Sequence, residues 1–332
     1  MRRALLVGID GYSWGPLNGC VADATALAET LRCNADGTPN WRTETMLGLA
    51  SGASITRETL RAGLARLFAN TRDYDLLFFF AGHGAQSIWG ADLVTQDATE
   101  NSLGVPMNDL ITLANDSSAH SVTVILDCCF SGSTGSVPGL QSASVAEAFR
   151  LEKTLLRENV TVLAASRATE TSAEFEGHGT FTRVMLDGLD GGATDHLGKV
   201  TGLSLYGYIS NSFDAWEQRP ILKTNLTEPL VLRVGPPWLE PVLLRQLPDH
   251  FPAEDSRVQM TPAHEGEGRP LVQSEEGTPQ QQQFDYFGRL RNAGLVTTDG
   301  RRDHYWVAME SGHVYLTALG RYFWRLAKRG AL

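Results

Sequence analysis

Asp75-Leu76-Leu77-Phe78-Phe79-Phe80-Ala81-Gly82-His83-Gly84 and Val122-Thr123-Val124-Ile125-Leu126-Asp127-Cys128-Cys129-Phe130-Ser131-Gly132 are built alike. Each is a short, nearly continuous apolar run that ends in small residues carrying a reactive side chain. Such a run reads as a strand buried on both faces. Similar runs occur at Ala4–Ile9, Val160–Ala165 and Pro229–Val234, with a weaker one at Thr43–Leu47. Between them lie stretches with a helical apolar stripe: Val21–Leu31, Thr56–Phe68, Thr180–Leu189 and Leu203–Trp216. Buried strands alternating with amphipathic helices predict an α/β layered fold around a mostly parallel sheet. In such sheets ligands bind beyond the carboxyl ends of the strands. The two quoted runs therefore deliver His83 and the Cys128-Cys129 pair to one sheet edge.

Taken singly, each of these residues has an ordinary explanation. A His in a Gly-rich turn is usually a turn residue, a buried Cys is usually an inert small hydrophobe, and a strand-end Asp often caps the next helix. Their arrival together at the ends of two apolar strands points to a thiol nucleophile with an imidazole acid–base partner. Small neighbours let a substrate backbone approach and free N–H groups to face an anion. A rival base is His178 in Gly177-His178-Gly179. It follows the acidic Glu174-Phe175-Glu176 rather than an apolar strand, which favours His83. Residue chemistry alone does not choose between the adjacent thiols Cys128 and Cys129.

His83 precedes Cys129 by 46 residues, near the spacing of about 50 known for caspases. Over about residues 3–234 the chain resembles caspase-like cysteine peptidases of the metacaspase and bacterial caspase-homologue type. The likeness rests on Ala4-Leu5-Leu6-Val7-Gly8-Ile9, Leu17-Asn18-Gly19-Cys20-Val21-Ala22-Asp23-Ala24, Phe79-Phe80-Ala81-Gly82-His83-Gly84 and Leu126-Asp127-Cys128-Cys129-Phe130-Ser131-Gly132. Later markers are Ala164-Ala165-Ser166 and Gly179-Thr180-Phe181-Thr182. The resemblance implies a caspase-like mostly parallel sheet flanked by helices. It implies a thiol protease with a Cys-His dyad: Cys129 as nucleophile, His83 as acid–base, and the backbone N–H groups of Gly84 and Cys129 as oxyanion donors. It also implies an acidic pocket for Arg or Lys at P1, the residue before the cleaved bond, with Asp23 and Asp127 as the carboxylates and Cys20 lining it. No Arg stands at the matching positions to hold a P1 Asp. By analogy, the setting is bacterial stress or defence signalling.

Some positions depart from the family. Phe130 stands where metacaspases often have His and caspases Arg. Several metacaspases need calcium, but residues 87–101 offer only Asp92, Asp97 and Glu100, thin for an ion wanting 6–8 oxygens. No obligatory cofactor, calcium included, is expected. The segment Ser133–Asn159 reads either as a self-processed linker cut after Arg150, Lys153 or Arg157, or as an amphipathic helix with Val145, Phe149, Leu151 and Leu155 partly buried.

The 332 residues carry a formal charge of −10, which argues against nucleic-acid binding by the chain as a whole. That charge is uneven. Residues 1–232 hold 16 basic and 26 acidic groups, whereas residues 284–332 hold 8 and 4. Four cysteines without CxxC pairing suit neither a disulfide scaffold nor structural zinc. With no apolar run near 20 residues and an opening apolar stretch too short for a signal peptide, a soluble cytoplasmic protein is expected, with no membrane partner. Expected domains are 1–235 (peptidase), 236–283 (polar linker) and 284–332 (a small α+β module resembling a winged helix). In the last, Phe284, Phe287 and Leu290 share a helix face, Leu295–Thr298 and His304–Met309 read as a hairpin across Asp299-Gly300, and Thr317 caps a helix with Leu319, Tyr322, Phe323 and Leu326 in its core stripe. The module is read as a recruiting site for a protein partner. Nucleic acid is the other reading, with Arg289, Arg291, Arg301 and Arg302 on phosphates. Two further readings of the whole chain stay open: a catalytically inactive caspase-like adaptor, and a DNA-binding regulator.

Overall fold

Alternate residues of the three-phenylalanine run face opposite ways. Phe78 and Phe80 pack into one apolar core and Phe79 into another, each 0% exposed. This is the two-residue period of a strand covered on both sides. Each buried ring contributes up to about 3 kcal/mol of hydrophobic stabilisation. The computed structural model describes residues 1–87, 90–129, 155–165, 179–213, 220–265 and 278–332.

These residues form two compact units, 1–194 with 199–236, and 195–198 with 237–332. The first contains, in chain order, β1 (Arg2–Ile9), α1 (Cys20–Arg32), β2 (Arg42–Gly48), α2 (Arg57–Leu67), β3 (Asp75–Ser87), β4 (Gly90–Thr99), β5 (Ser102–Pro106), α3 (Met107–Asp116), β6 (Ser121–Cys129), β7 (Val160–Ala164), α4 (Thr180–Asp187), β8 (Lys199–Thr201), α5 (Gly202–Ser212), β9 (Ile221–Asn225) and β10 (Val231–Val234). The main sheet runs β2-β1-β3-β6-β7-β9. Its pairs are parallel except the last, β7–β9. Helices α2 and α3 cover the face carrying Leu5, Val7, Phe78, Phe80 and Val124. Helices α1, α4 and α5 cover the face carrying Leu6, Leu77, Phe79 and Ile125. The fold is thus a mostly parallel mixed sheet flanked by helices, as expected.

Several elements escaped the sequence reading. The antiparallel extension β4–β5 and helix α3 were not read at all. The end of the main sheet is β9, whose Lys223, Thr224 and Asn225 give it no apolar signature. Pro229–Val234, expected as a strand of the main sheet, instead supplies β10, which pairs with β8 in a separate two-stranded sheet.

Two local features bring α1 close to the sheet. A side chain at Gly8 would place its Cβ 2.2 Å from the Cys20 carbonyl oxygen, so only glycine lets the helix start so near β1. The residue before the helix, Gly19, offers no capping side chain. Asp10, just past the end of β1, replaces it: its carboxylate accepts the N–H groups of Cys20 (2.9 Å) and Val21 (3.2 Å).

The second unit contains α6 (Pro241–Arg245), α7 (Leu247–His250), β11 (Arg257–Gln259), α8 (Pro279–Asn292), β12 (Val296–Thr298), α9 (His304–Met309), β13 (His313–Leu316) and α10 (Ala318–Lys328). Its sheet is antiparallel, in the order β11-β13-β12. The expected linker is corrected over 237–265. Leu244, Leu247, Phe251 and Met260 are fully buried in this unit's core, apolar anchors diluted by a polar composition. The expected hairpin strand His304–Met309 is also corrected. It is a helix, because Asp303 caps it by accepting Tyr305 N–H at 3.0 Å. Its buried residues His304, Val307 and Ala308 follow helical spacing. The strand paired with β12 is β13, with Val296 opposite Leu316. Thr317 caps α10 as expected, accepting Gly320 N–H at 3.0 Å. Tyr322, placed in its core stripe from sequence, is 53% exposed.

Candidate active site

The parallel pairing of β3 and β6 ends at the level of the reactive residues. In that register Gly82 faces Cys128 and His83 faces Cys129. At Gly84 the strand leaves β6 and pairs with Leu93 of β4 instead. His83 and Gly84 therefore sit where the sheet changes partner, beside the last residue of β6. Cys128 is 5% exposed and belongs to the core under α2 and α3.

His83 is itself 5% exposed and is held from the loop after β1. Its Nε2 lies 2.7 Å from the Gly15 carbonyl oxygen. A carbonyl can only accept, so Nε2 carries the proton and Nδ1 of the neutral ring is the basic nitrogen. The His83 backbone N–H donates to the Tyr12 hydroxyl (3.1 Å), which in turn donates to the Val94 carbonyl (3.0 Å). Burial pushes the Tyr12 phenol well above its ordinary range, so it stays protonated and can donate. The His83 ring stacks on Trp14 at 4.8 Å and 26°, and meets Tyr12 at 4.6 Å.

On the α1/α4 side, Asp23 (2% exposed) and Asp127 (3% exposed) come from the first turn of α1 and the end of β6. Both reach Gly179, the residue that opens α4. Asp23 Oδ2 accepts Gly179 N–H at 3.2 Å, and Asp127 Oδ2 accepts the Thr182 hydroxyl at 2.6 Å. A methyl group on Gly179 would lie 3.1 Å from Asp127 Oδ2 and 3.2 Å from Asp23 Oδ2. The two carboxylates thus flank one point, although 104 residues separate them in the chain. Cys20, the first residue of α1, is 9% exposed and packs into the core on this face.

Sequence reasoning missed Asp10, Tyr12, Trp14 and Gly15, and took Gly179 and Thr182 only as markers of a turn into a helix. The first four follow the carboxyl end of β1, the place where ligand-binding loops gather. That position was the available signal. Of the three acidic residues judged too few for calcium, Asp97 accepts Arg57 N–H (3.0 Å) and the Thr95 hydroxyl (2.6 Å), at the start of α2. Among the described residues, no three His, Cys, Asp or Glu side chains are grouped to hold a metal. Phe130, Arg150, Lys153 and His178 lie outside the described residues. Arg157 donates to the carbonyl oxygens of Ala114, Glu158 and Ala119 and to the Ser117 hydroxyl, so cutting after it would first require its release. No described helix is long and apolar enough to cross a membrane.

In the second unit the arginines assigned to phosphate contacts have carboxylate partners. Arg289 pairs with Glu240 at 2.6 Å, Arg291 with Asp303 at 2.8 Å and Arg302 with Glu310. The side chain of Arg301 lies outside the described set.

Comparison with known proteins bears on the family and the fold. The family model described as Caspase domain matches residues 1–231. Among solved structures, the chain is similar to the crystal structure of protein GSU0716 from Geobacter sulfurreducens, at 17% identity and a TM-score of 0.51, covering 71% of this chain and 99% of that one. At that identity the likeness concerns the fold. A comparison with curated proteins returned no match.

Proposed function

Because the chain belongs to the caspase domain family, we propose that it is a cysteine endopeptidase that cleaves after Arg or Lys through Cys129 and His83. The observation that carries this reading is the register that sets His83 opposite Cys129, while Gly15 fixes the His83 tautomer. In the proposed reaction the Cys129 thiol proton passes to His83 Nδ1 and the thiolate attacks the P1 carbonyl carbon. The oxyanion is held by the Gly84 and Cys129 N–H groups. The imidazolium returns its proton to the leaving amine, and water then hydrolyses the thioester. Burial of Cys128 in the core supports Cys129 as the reacting thiol.

Asp23 and Asp127 form the proposed P1 pocket, with Cys20 beside them. Two carboxylates facing one point repel each other, and both gain from an arriving cation. The planar fork of Arg can bond both. A positional scan of fluorogenic peptides tests this. Turnover with P1 Arg or Lys should exceed that with P1 Asp or Ala by at least about 100-fold, in line with the strength of charge-assisted hydrogen bonds. Equal turnover of P1 Arg and P1 Asp sinks the acidic-pocket reading.

Gly179→Ala gives a finer check. The Gly179 backbone (φ −66°, ψ 137°) is one that alanine adopts freely, so unfolding should move little. The added methyl crowds both carboxylates. The expected result is a KM for P1 Arg peptides raised about ten-fold. An unchanged KM would mean that the substrate does not enter here.

For the second unit we propose a winged-helix-like module that recruits a protein partner. Arginines already paired with carboxylates have less to offer to phosphates.

A further inference from the structure

Trp14 packs against His83, and the reaction described above does not use it. Its indole stacks on the imidazole with ring centroids 4.8 Å apart and planes 26° from parallel. Tyr12 closes the same cluster, 5.3 Å from Trp14 and 4.6 Å from His83. The residue after Trp14 is Gly15, whose carbonyl accepts from His83 Nε2. One short loop therefore supplies both the face and the edge that hold this ring.

The indole Nε1 is buried and has no hydrogen-bond partner among the described residues. An orphaned buried donor is costly, and a phenylalanine would fill the space without that cost. What indole adds is the strongest π face among the aromatic side chains for attracting a cation.

We propose that Trp14 is a positioning residue for His83: its face holds the imidazole and favours its protonated form, biasing the Cys129–His83 pair toward thiolate and imidazolium. The proposal rests on the peptidase reading above. The proton that leaves the Cys129 sulfur is the one that His83 Nδ1 gains, so nothing else is consumed. Within this cluster, the titratable groups whose charges act on Tyr12 are Asp10 at the end of β1, Cys20 on α1 and Cys128 on β6. The Asp10 carboxylate is engaged by the N–H groups of Cys20 and Val21.

The test is alkylation of the full chain with iodoacetamide from pH 5 to 9. The Cys129 and Cys33 peptides are quantified by mass spectrometry in wild type, Trp14→Phe and Trp14→Leu. Wild-type Cys129 should react at a pH well below that of Cys33. Trp14→Leu should move the Cys129 profile up by about one pH unit, so that reactivity at pH 6.5 falls about ten-fold while rates converge above pH 9. Trp14→Phe, with a weaker face, should lose about three-fold. A Trp14→Leu profile that superimposes on wild type overturns the role of Trp14 and leaves the peptidase reading standing. A wild-type Cys129 that titrates together with Cys33 overturns the dyad itself. Should Trp14→Leu fail to fold, Trp14→Phe decides by the same criterion, and an unshifted profile overturns the proposal.

Discussion

Cys129→Ala should abolish hydrolysis of P1 Arg peptides, and His83→Ala should lower it by about 10³-fold or more, with both proteins folded. The magnitudes follow from the chemistry. The thiol carries the covalent step, and a positioned acid–base typically contributes about 10² to 10⁴. Because the two residues act as a unit, the double variant should be no worse than the poorer single one. Cys128→Ala is the discriminating control. Cys128 is packed into the core under α2 and α3, so its loss should cost some stability and little activity. Steady-state kinetics beside thermal unfolding would show this. If Cys128→Ala were inactive and Cys129→Ala active, the nucleophile would be the other thiol. Undiminished hydrolysis in all three variants would assign the activity elsewhere and return the chain to the class of adaptors.

The second large effect concerns Asp23 and Asp127. Either Asp→Asn change should reduce kcat/KM for P1 Arg by about 10² or more, and the double variant should lose the preference for basic P1 altogether. A buried charge-assisted hydrogen bond contributes about 1.5–3 kcal/mol, roughly 10- to 150-fold, and a substrate cation would gain from both carboxylates. Asparagine keeps the size of each side chain and can still accept from Gly179 N–H or the Thr182 hydroxyl. The loss should therefore appear in KM and P1 selectivity, with alkylation of Cys129 unaffected. A uniform fall across all P1 residues would instead mean that the two aspartates only hold α1, β6 and α4 together.

Most of the first unit was legible in the chain because burial on two faces leaves a compositional trace. Leu76–Ala81 and Val122–Leu126 could be little else than central strands, and both proved to be so. The elements that escaped are those whose apolar content is low or shared. Strand β9 is only partly buried, and the helix His304–Met309 is set by one capping aspartate rather than by a long stripe. The supposed linker held apolar anchors too sparse to register as periodicity, yet Phe251 and Met260 are fully buried.

The site divides in the same way. By itself the sequence determined that a His and a Cys pair follow two doubly buried strands, because an apolar run ending in small residues needs no distant information to be read. Tertiary structure decided the rest: that β3 and β6 pair in the register opposing His83 to Cys129, that Cys128 belongs to the core, that Asp23 and Asp127 meet at Gly179, and that Tyr12, Trp14 and Gly15 enclose the imidazole. Each of these joins residues far apart in the chain. Strand register, a carbonyl acceptor, a ring face and a missing Cβ leave no periodic mark in sequence, and act only once the sheet has brought them together.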